Sequence, residues 1–184
     1  MFDTGPSEAV VNAPAPSSIA VTGEAVTGAS KRSLKITDAA GLQNGFDPHF
    51  YYIPHHKEGT SRLSFDLRTE VGVNMYQEWR DAATPYHVGP SFSIANDHLY
   101  VNNQQLLAIP VGQWVHFEIV ASLGSSSTGA WDLTVVLPGA EPHRFAGLKN
   151  GSPDWKTLDW LGFVSNANEK TIYYLDNIEL SNKK

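Results

Sequence analysis

The chain has 184 residues, a net charge of -6 from 13 Lys+Arg against 19 Asp+Glu, 41% apolar residues and no cysteine. That length suits one domain, on a norm of roughly 100–200 residues each, and with no basic cluster beyond Lys31-Arg32 and the two final lysines a nucleic-acid partner lacks its electrostatic footing. The missing cysteines remove thiolate metal sites, thiol catalysis and disulfides, and no apolar run approaches the ~18 residues of a membrane span.

In chain order, Met1-Phe2-Asp3 carries neither a basic region nor an apolar run, so no export signal is read in this chain. Residues 5–18, GPSEAVVNAPAPSS, hold three prolines that deny the stretch both helix and central strand. Residues 1–18 therefore read as an irregular lead-in to a single domain spanning 1–184. After it come short segments with period-two alternation, separated by Gly, Pro, Asn and Asp clusters, the pattern of half-buried antiparallel strands. The clearest place Leu63, Phe65 and Leu67 opposite Arg62, Ser64, Asp66 and Arg68; Val115, Phe117 and Ile119 opposite Trp114, His116 and Glu118; and Trp131, Leu133, Val135 and Leu137 opposite Asp132, Thr134 and Val136. Further strands are expected near 19–22, 33–37, 49–53, 71–79, 91–95, 98–101, 105–109, 143–148, 160–165 and 171–180, with residues 74–83 the one helix-tolerant stretch. The small-residue run Gly124-Ser125-Ser126-Ser127 makes 112–137 a hairpin with apolar inner faces. About a dozen strands with turns every 8–12 residues predict an all-β chain: two packed antiparallel sheets in a sandwich or jelly roll. No fixed internal repeat argues for a propeller or solenoid.

GASKRSLKITD near the start, GQWVHFEIV in the middle and TIYYLDNIEL at the end resemble segments of the concanavalin A-like and laminin-G-like jelly rolls, including carbohydrate-binding modules of secreted bacterial polysaccharide-degrading proteins. The resemblance runs from about Gly28 onward. It implies pairing of the early and late strands, sugar binding as the default role, and a structural calcium. Independently, counting by twos along the last strand places Ile172, Tyr174, Asp176, Ile178 and Leu180 on one face, which sets a carboxylate among apolar neighbours. A buried carboxylate needs backbone N–H groups, a cation or a metal. Since Ca²⁺ takes about 6–8 oxygen ligands, Asp176 with Glu24 is the expected metal pair, with Asp3, Glu8 and carbonyls around Lys31 and Ser33 as further donors. A hydrogen-bonded Asp176, or a bulge that turns it outward, is the alternative.

Sugar rings present apolar C–H faces ringed by hydroxyls, so a sugar site needs aromatic planes beside hydrogen-bonding groups. Residues 74–90, NMYQEWRDAATPYHVGP, supply both, and Glu78, Trp79, Arg80, Tyr86 and His87 are the expected contacts, joined by Tyr52 from the loop-like HFYYIPHH at 49–56. The competing reading makes Tyr76 and Trp79 core residues and Glu78, Arg80 and Asp81 a surface ion cluster worth ~0–1 kcal/mol. His49, His55 and His56 invite a transition metal, but adjacent His55 and His56 point to opposite sides of an extended chain. Trp114 and Trp131 read as structural, Trp155 as a residue of a polar turn that projects into solvent, and Trp160 as the start of a strand.

Catalytic signatures are absent. Jelly-roll glycosidases need two carboxylates about 5–5.5 Å apart for retention, which on one strand means Glu-x-Asp. Polysaccharide lyases of this shape resemble one another in a Gln-x-His strand and a Tyr-x-Lys strand, with Tyr or His moving the proton. Neither pattern occurs, nor does a Gly-x-Ser-x-Gly elbow. The sequence thus predicts a monomeric, non-catalytic polysaccharide-binding module of a secreted or periplasmic protein, with no nucleic-acid or membrane partner. The alternatives are a polysaccharide lyase or glycoside hydrolase using Arg80, His87 and a Tyr, and a laminin-G-like protein-interaction domain.

Overall fold

A computed structural model describes residues 9–184. Among them, fourteen strands form two seven-stranded antiparallel sheets. The first sheet runs, edge to edge, β1 (Val10–Asn12), β4 (His49–Tyr52), β13 (Trp160–Ser165), β6 (Asn74–Arg80), β7 (Val88–Ala95), β8 (His98–Val101) and β9 (Gln104–Ala108). The second runs β12 (His143–Lys149), β11 (Ala130–Val136), β10 (Trp114–Leu123), β5 (Gly59–Thr69), β14 (Ile172–Lys183), β3 (Ser33–Thr37) and β2 (Ser18–Thr22). The expected hairpin is β10–β11, and the expected meeting of early and late segments is β3 against β14, Ile36 opposite Tyr173.

Alternation builds the core. On β10 every second residue from Val115 to Leu123 is buried, and each meets an inward residue of β5. Between the layers lies a column of rings: Phe117 of the second sheet stacks on Phe92 of the first at 5.2 Å, and Phe65 meets Phe163 edge-on at 5.0 Å. Aromatic pairs in such geometries add about 0.5–1.5 kcal/mol beyond the area they bury, so the two sheets are tied by specific contacts as well as by apolar area.

Four expectations are corrected. The lead-in contains a short strand, β1, because its Val10-Val11-Asn12 lies between the prolines and pairs with β4 at the sheet edge. The segment 71–79 begins three residues late, at Asn74, since Gly72 takes φ +82 in a turn, and residues 74–80 of the helix-tolerant stretch are strand β6. Trp155 does not project into solvent. It is buried, 6.2 Å from Trp79 between ring centres, and its indole lies so close to Gly89 that a Cβ there would come within 2.4 Å of it.

The fourth correction concerns β14. Tyr173 and Leu175, not Tyr174 and Asp176, enter the core, and between Asp176 and Glu179 the register slips by one residue at a bulge, with Asn177 at φ 51. The extra residue switches the parity, so Leu180 returns to the core opposite Leu63. Counting by twos across that bulge therefore merged two faces. Asp176 sits on the outer face opposite Asp66, and its Oδ1 accepts the Asn177 N–H at 2.8 Å.

The outer face of this second sheet is covered by matched charges, including Lys35 with Glu24, Arg62 with Glu118, and Arg68 with Glu70. Asp66 and His116 pair at 2.7 Å. Burial pushes the Asp66 carboxyl up, but hydrogen bonds from His116 and Asn177 outweigh it and hold it below the ordinary 3.8; the same bond to Asp66 holds His116 above 6.5 against the opposing effect of burial. The Asp66 contribution is present above 3.8 and lost as pH falls through its lowered pKa. The His116 contribution is complete below 6.5 and lost as pH rises through its raised pKa. His116→Ala should therefore destabilise the fold most near about pH 5, with the deficit shrinking in alkaline buffer when urea midpoints are compared across pH.

Trp79 is fully buried, and its Nε1 has no hydrogen-bond partner among the described residues. Trp79→Ala should cost about 3–5 kcal/mol in equilibrium denaturation, whereas Trp79→Phe, which keeps a ring and loses no hydrogen bond, should cost well under half of that.

Candidate functional site

Because β6 alternates, Met75, Gln77 and Trp79 point into the core and Tyr76, Glu78 and Arg80 point out. Register carries this outward face across neighbouring strands. Trp160, Arg80 and Val88 form one row; Tyr51, Gly162, Glu78 and Ser91 the next; and His49, Val164, Tyr76, Ser93 and Tyr100 a third. Two depressions border the outer face of β6. One, of about 330 Å³, is lined by Phe46, His49, Tyr76, Arg80, Tyr86, Trp160 and Val164. The other, of about 320 Å³, extends toward β8 past Glu78, Ser91, Ser93, Tyr100, Asn102 and Asn103. Together they make a groove across the first sheet.

At its centre lies Arg80. Its guanidinium carbon is 4.1 Å from the ring centre of Trp160 and 4.3 Å from that of Tyr86, and its Nε donates to Glu78 Oε1 at 2.6 Å. Both members of this ion pair are largely buried, with side-chain exposures of 19% and 15%. The other Glu78 oxygen accepts from Ser91 at 3.2 Å. Beyond Trp160 the stack continues to Tyr51 at 5.3 Å and, nearly parallel, to His49 at 6.2 Å. Cation–π contacts are worth ~0.5–1 kcal/mol when exposed and about 2 when desolvated, so a guanidinium covered on both faces is firmly placed. Gly162 makes room for this ladder: a Cβ there would lie 2.0 Å from the Trp160 ring.

Two rings stand at the rim with their surfaces about half exposed: Phe46 and Tyr86, each at 49%. They come from the loops before β4 and after β6 and line the same depression, so they are its most exposed aromatic planes. His49 Nδ1 lies 3.1 Å from the Phe46 carbonyl and 3.0 Å from Asp47 Oδ1. Both are acceptors, so Nδ1 carries the proton and a neutral ring keeps its lone pair on Nε2. Burial pushes the Tyr76 phenol up, only partly offset by Arg80, so this hydroxyl keeps its proton at neutral pH.

The sequence-expected residues divide accordingly. Glu78, Arg80 and Tyr86 are brought together in the groove. Trp79 is not there, since its parity sends it inward beside Trp155. Tyr52 is likewise on the inner side, edge-on to Phe50 at 5.9 Å, and the groove takes its neighbour Tyr51 instead. His87 closes the β6–β7 loop: its backbone N–H and ring Nδ1 both bind Asp81, at 2.8 and 2.6 Å. Phe46, Tyr51 and Trp160 were missed as site residues. Tyr51 and Trp160 could have been found from strand parity, while Phe46 is a lone aromatic in the loop GLQNGFDP.

The expected calcium pair does not converge on a cage. Glu24 Oε2 accepts from Lys35 at 2.5 Å and from the Tyr174 hydroxyl at 3.4 Å, while Asp176 faces Asp66. Among the described residues no three His, Cys, Asp or Glu side chains form a group that could hold a metal ion. Asp3 and Glu8 lie outside the described residues.

Neither a family model nor a curated protein matches the chain. Solved structures do match. An endo-β-1,4-glucuronan lyase from the fungus Trichoderma reesei superposes with a TM-score of 0.64 at 12% identity, over 95% of this chain and 90% of that one. A carbohydrate esterase of the Shiga toxin-encoding bacteriophage phi24B gives 0.64 at 13%, over 96% and 90%. The marine PL-14 alginate lyase from Aplysia kurodai gives 0.60 at 11%, over 96% and 99%. The fold is an all-β jelly-roll sandwich of two antiparallel sheets. At these identities the jelly roll is what is shared, and the chemistry must be argued from the groove itself.

Gly162→Ala should lift the Trp160 indole out of its place between Tyr51 and Arg80. The expected signature is a changed near-ultraviolet circular dichroism and a more quenchable indole, at a stability cost of about 1–3 kcal/mol for the overpacked site.

Proposed function

We propose that the chain binds a polysaccharide along the outer face of the first sheet without cleaving it. The observation that carries this reading is the groove centred on Arg80, in which a stacked guanidinium, two half-exposed rim rings and a row of neutral hydroxyl and amide groups offer what a pyranose needs: apolar planes for its C–H faces and donors and acceptors for its hydroxyls. The two adjoining depressions suit a chain of sugar units. Sandwich relatives that carry the words lyase and esterase in their names act on or belong to carbohydrate chemistry, which supports the same ligand class. An exported location, outside the cell or in the periplasm, goes with such a ligand.

Non-catalytic binding is favoured by what lines the groove. Glu78 is the one carboxylate among its described lining residues, so the pair that glycoside hydrolysis needs is missing. A second reading, elimination by a lyase, rests on one observation: the His49 ring, held by Asp47, lines the depression beside Tyr76 with its Nε2 lone pair available as a base. Product analysis separates the two, because elimination leaves unsaturated ends and binding leaves the polymer intact.

Phe46→Ala and Tyr86→Ala should each weaken polysaccharide affinity about tenfold, near 1.4 kcal/mol, with the melting temperature preserved because both rings are half exposed. Unchanged affinity in both variants, measured by calorimetry or affinity electrophoresis, would remove this groove as the binding face.

A further inference from the structure

Resting on the polysaccharide reading, we infer that the groove selects an uncharged polysaccharide and rejects uronates. The ligand is identified by the charge that the groove can and cannot accommodate. Arg80 is the one Lys or Arg among the described residues lining the two depressions, and it is already matched by Glu78 at 2.6 Å in a largely buried pair. Trp160 and Tyr86 lie against it with ring centres at 4.1 and 4.3 Å, so a ligand that reaches it meets a neutralised, ring-packed pair. A sugar carboxylate drawn to that pair would come up against the Glu78 carboxylate, and in a site shielded from water like charges repel more strongly than in bulk.

The surroundings deepen the same bias. Asp47 adjoins His49 and hydrogen-bonds it, Asp81 adjoins Arg80 and holds His87, and Asp159 adjoins Trp160 while its N–H binds the Arg80 carbonyl. These three carboxylates are partnered by histidines, His49, His87 and His55, and not by a lysine or arginine. None of the three is among the described residues lining the depressions; they add to the field of a chain whose net charge is -6, while Glu78 alone pairs with the guanidinium. The second depression supplies no cation: beyond Glu78 its polar lining is Ser91, Ser93, Tyr100, Asn102 and Asn103, which pair with hydroxyls and not with ions.

A consequence separates this chain from the two lyases above. Elimination draws its proton from a carbon made acidic by the neighbouring carboxylate, and a neutral hexose or pentose unit offers no such carbon. A neutral ligand thus leaves His49 and Tyr76 as hydrogen-bonding groups.

The test is calorimetry on the full chain with hexasaccharides of cellulose, xylan, mannan and laminarin against those of alginate and glucuronan, at low and at physiological salt. At least one neutral ligand should bind at least tenfold tighter than either uronate, with an affinity unchanged by salt. Glu78→Gln, which leaves the Arg80 charge unmatched, should raise uronate affinity at least tenfold at low salt, with the gain fading as salt rises. A uronate that binds the native chain more tightly than every neutral ligand, with affinity falling as salt rises, overturns the inference and leaves polysaccharide binding standing. Silence from all six ligands overturns both. Should Glu78→Gln fail to fold, the native chain is given the methyl esters of the two uronates, which remove the charge and keep the ring: the esters should bind at least tenfold tighter than the free acids at low salt, and equal affinity would count against the assignment.

Discussion

A strand can show a residue to one face only, and on β6 that constraint decides everything downstream. Trp79 and Arg80 are neighbours in sequence and cannot both face the solvent. The fold gives the core to the indole, where it meets Trp155 and fills the space beneath the β6–β7 loop, and gives the groove to the guanidinium. Burying a large aromatic is worth more to stability than exposing it, and a guanidinium could not take its place between the sheets without a costly partner. The position of Arg80 follows from that preference, and the Trp160–Arg80–Tyr86 stack follows from the position of Arg80.

The two outer faces of the sandwich illustrate different ways of meeting water. The second sheet covers itself with ion pairs, one of them bridging β5 and β10, and among the described residues offers no aromatic plane as exposed as those of the groove. The first sheet instead lays rings across its strands and leaves two of them at the rim. Exposed aromatics in a groove forgo the gain of burial, and a ligand that covers them recovers it. The same contrast sets the first sheet apart as the candidate binding face, although both sheets have seven strands and the same alternation.

Much of this was legible in the sequence. Strands such as Leu63–Leu67 and Val115–Ile119 announce themselves through alternation, and β3, β8 and β13 fall where their apolar patterns end. The groove was legible in part: Glu78, Arg80 and Tyr86 stood out as a polar and aromatic cluster. What local pattern could not resolve was which member of an adjacent pair faces in. Met75, Gln77 and Trp79 mix apolar and polar residues on the buried side, so the β6 alternation carries no clean apolar phase, and an aromatic beside charges looks like a binding residue. Tyr51 and Tyr52 are chemically alike, and only pairing with β13 separates them. At Asp176 the obstacle was different: a one-residue bulge reverses parity halfway along β14, and nothing in YYLDNIEL marks it except an Asn able to take positive φ.

Jelly rolls of this kind hold lyases and an esterase within the same outline, so the scaffold does not choose the chemistry. The choice falls to a few outward positions, and here it comes down to what Arg80 is paired with. A free guanidinium in a groove is a carboxylate receptor; one locked to Glu78 and enclosed by two rings is a flat, polarised platform whose charge has been cancelled. Placing Glu78 two residues before Arg80 on the same strand puts both on one face at hydrogen-bonding reach. That pairing is as local as any feature of the chain, and on the proposed reading it is what would turn charged polymers away.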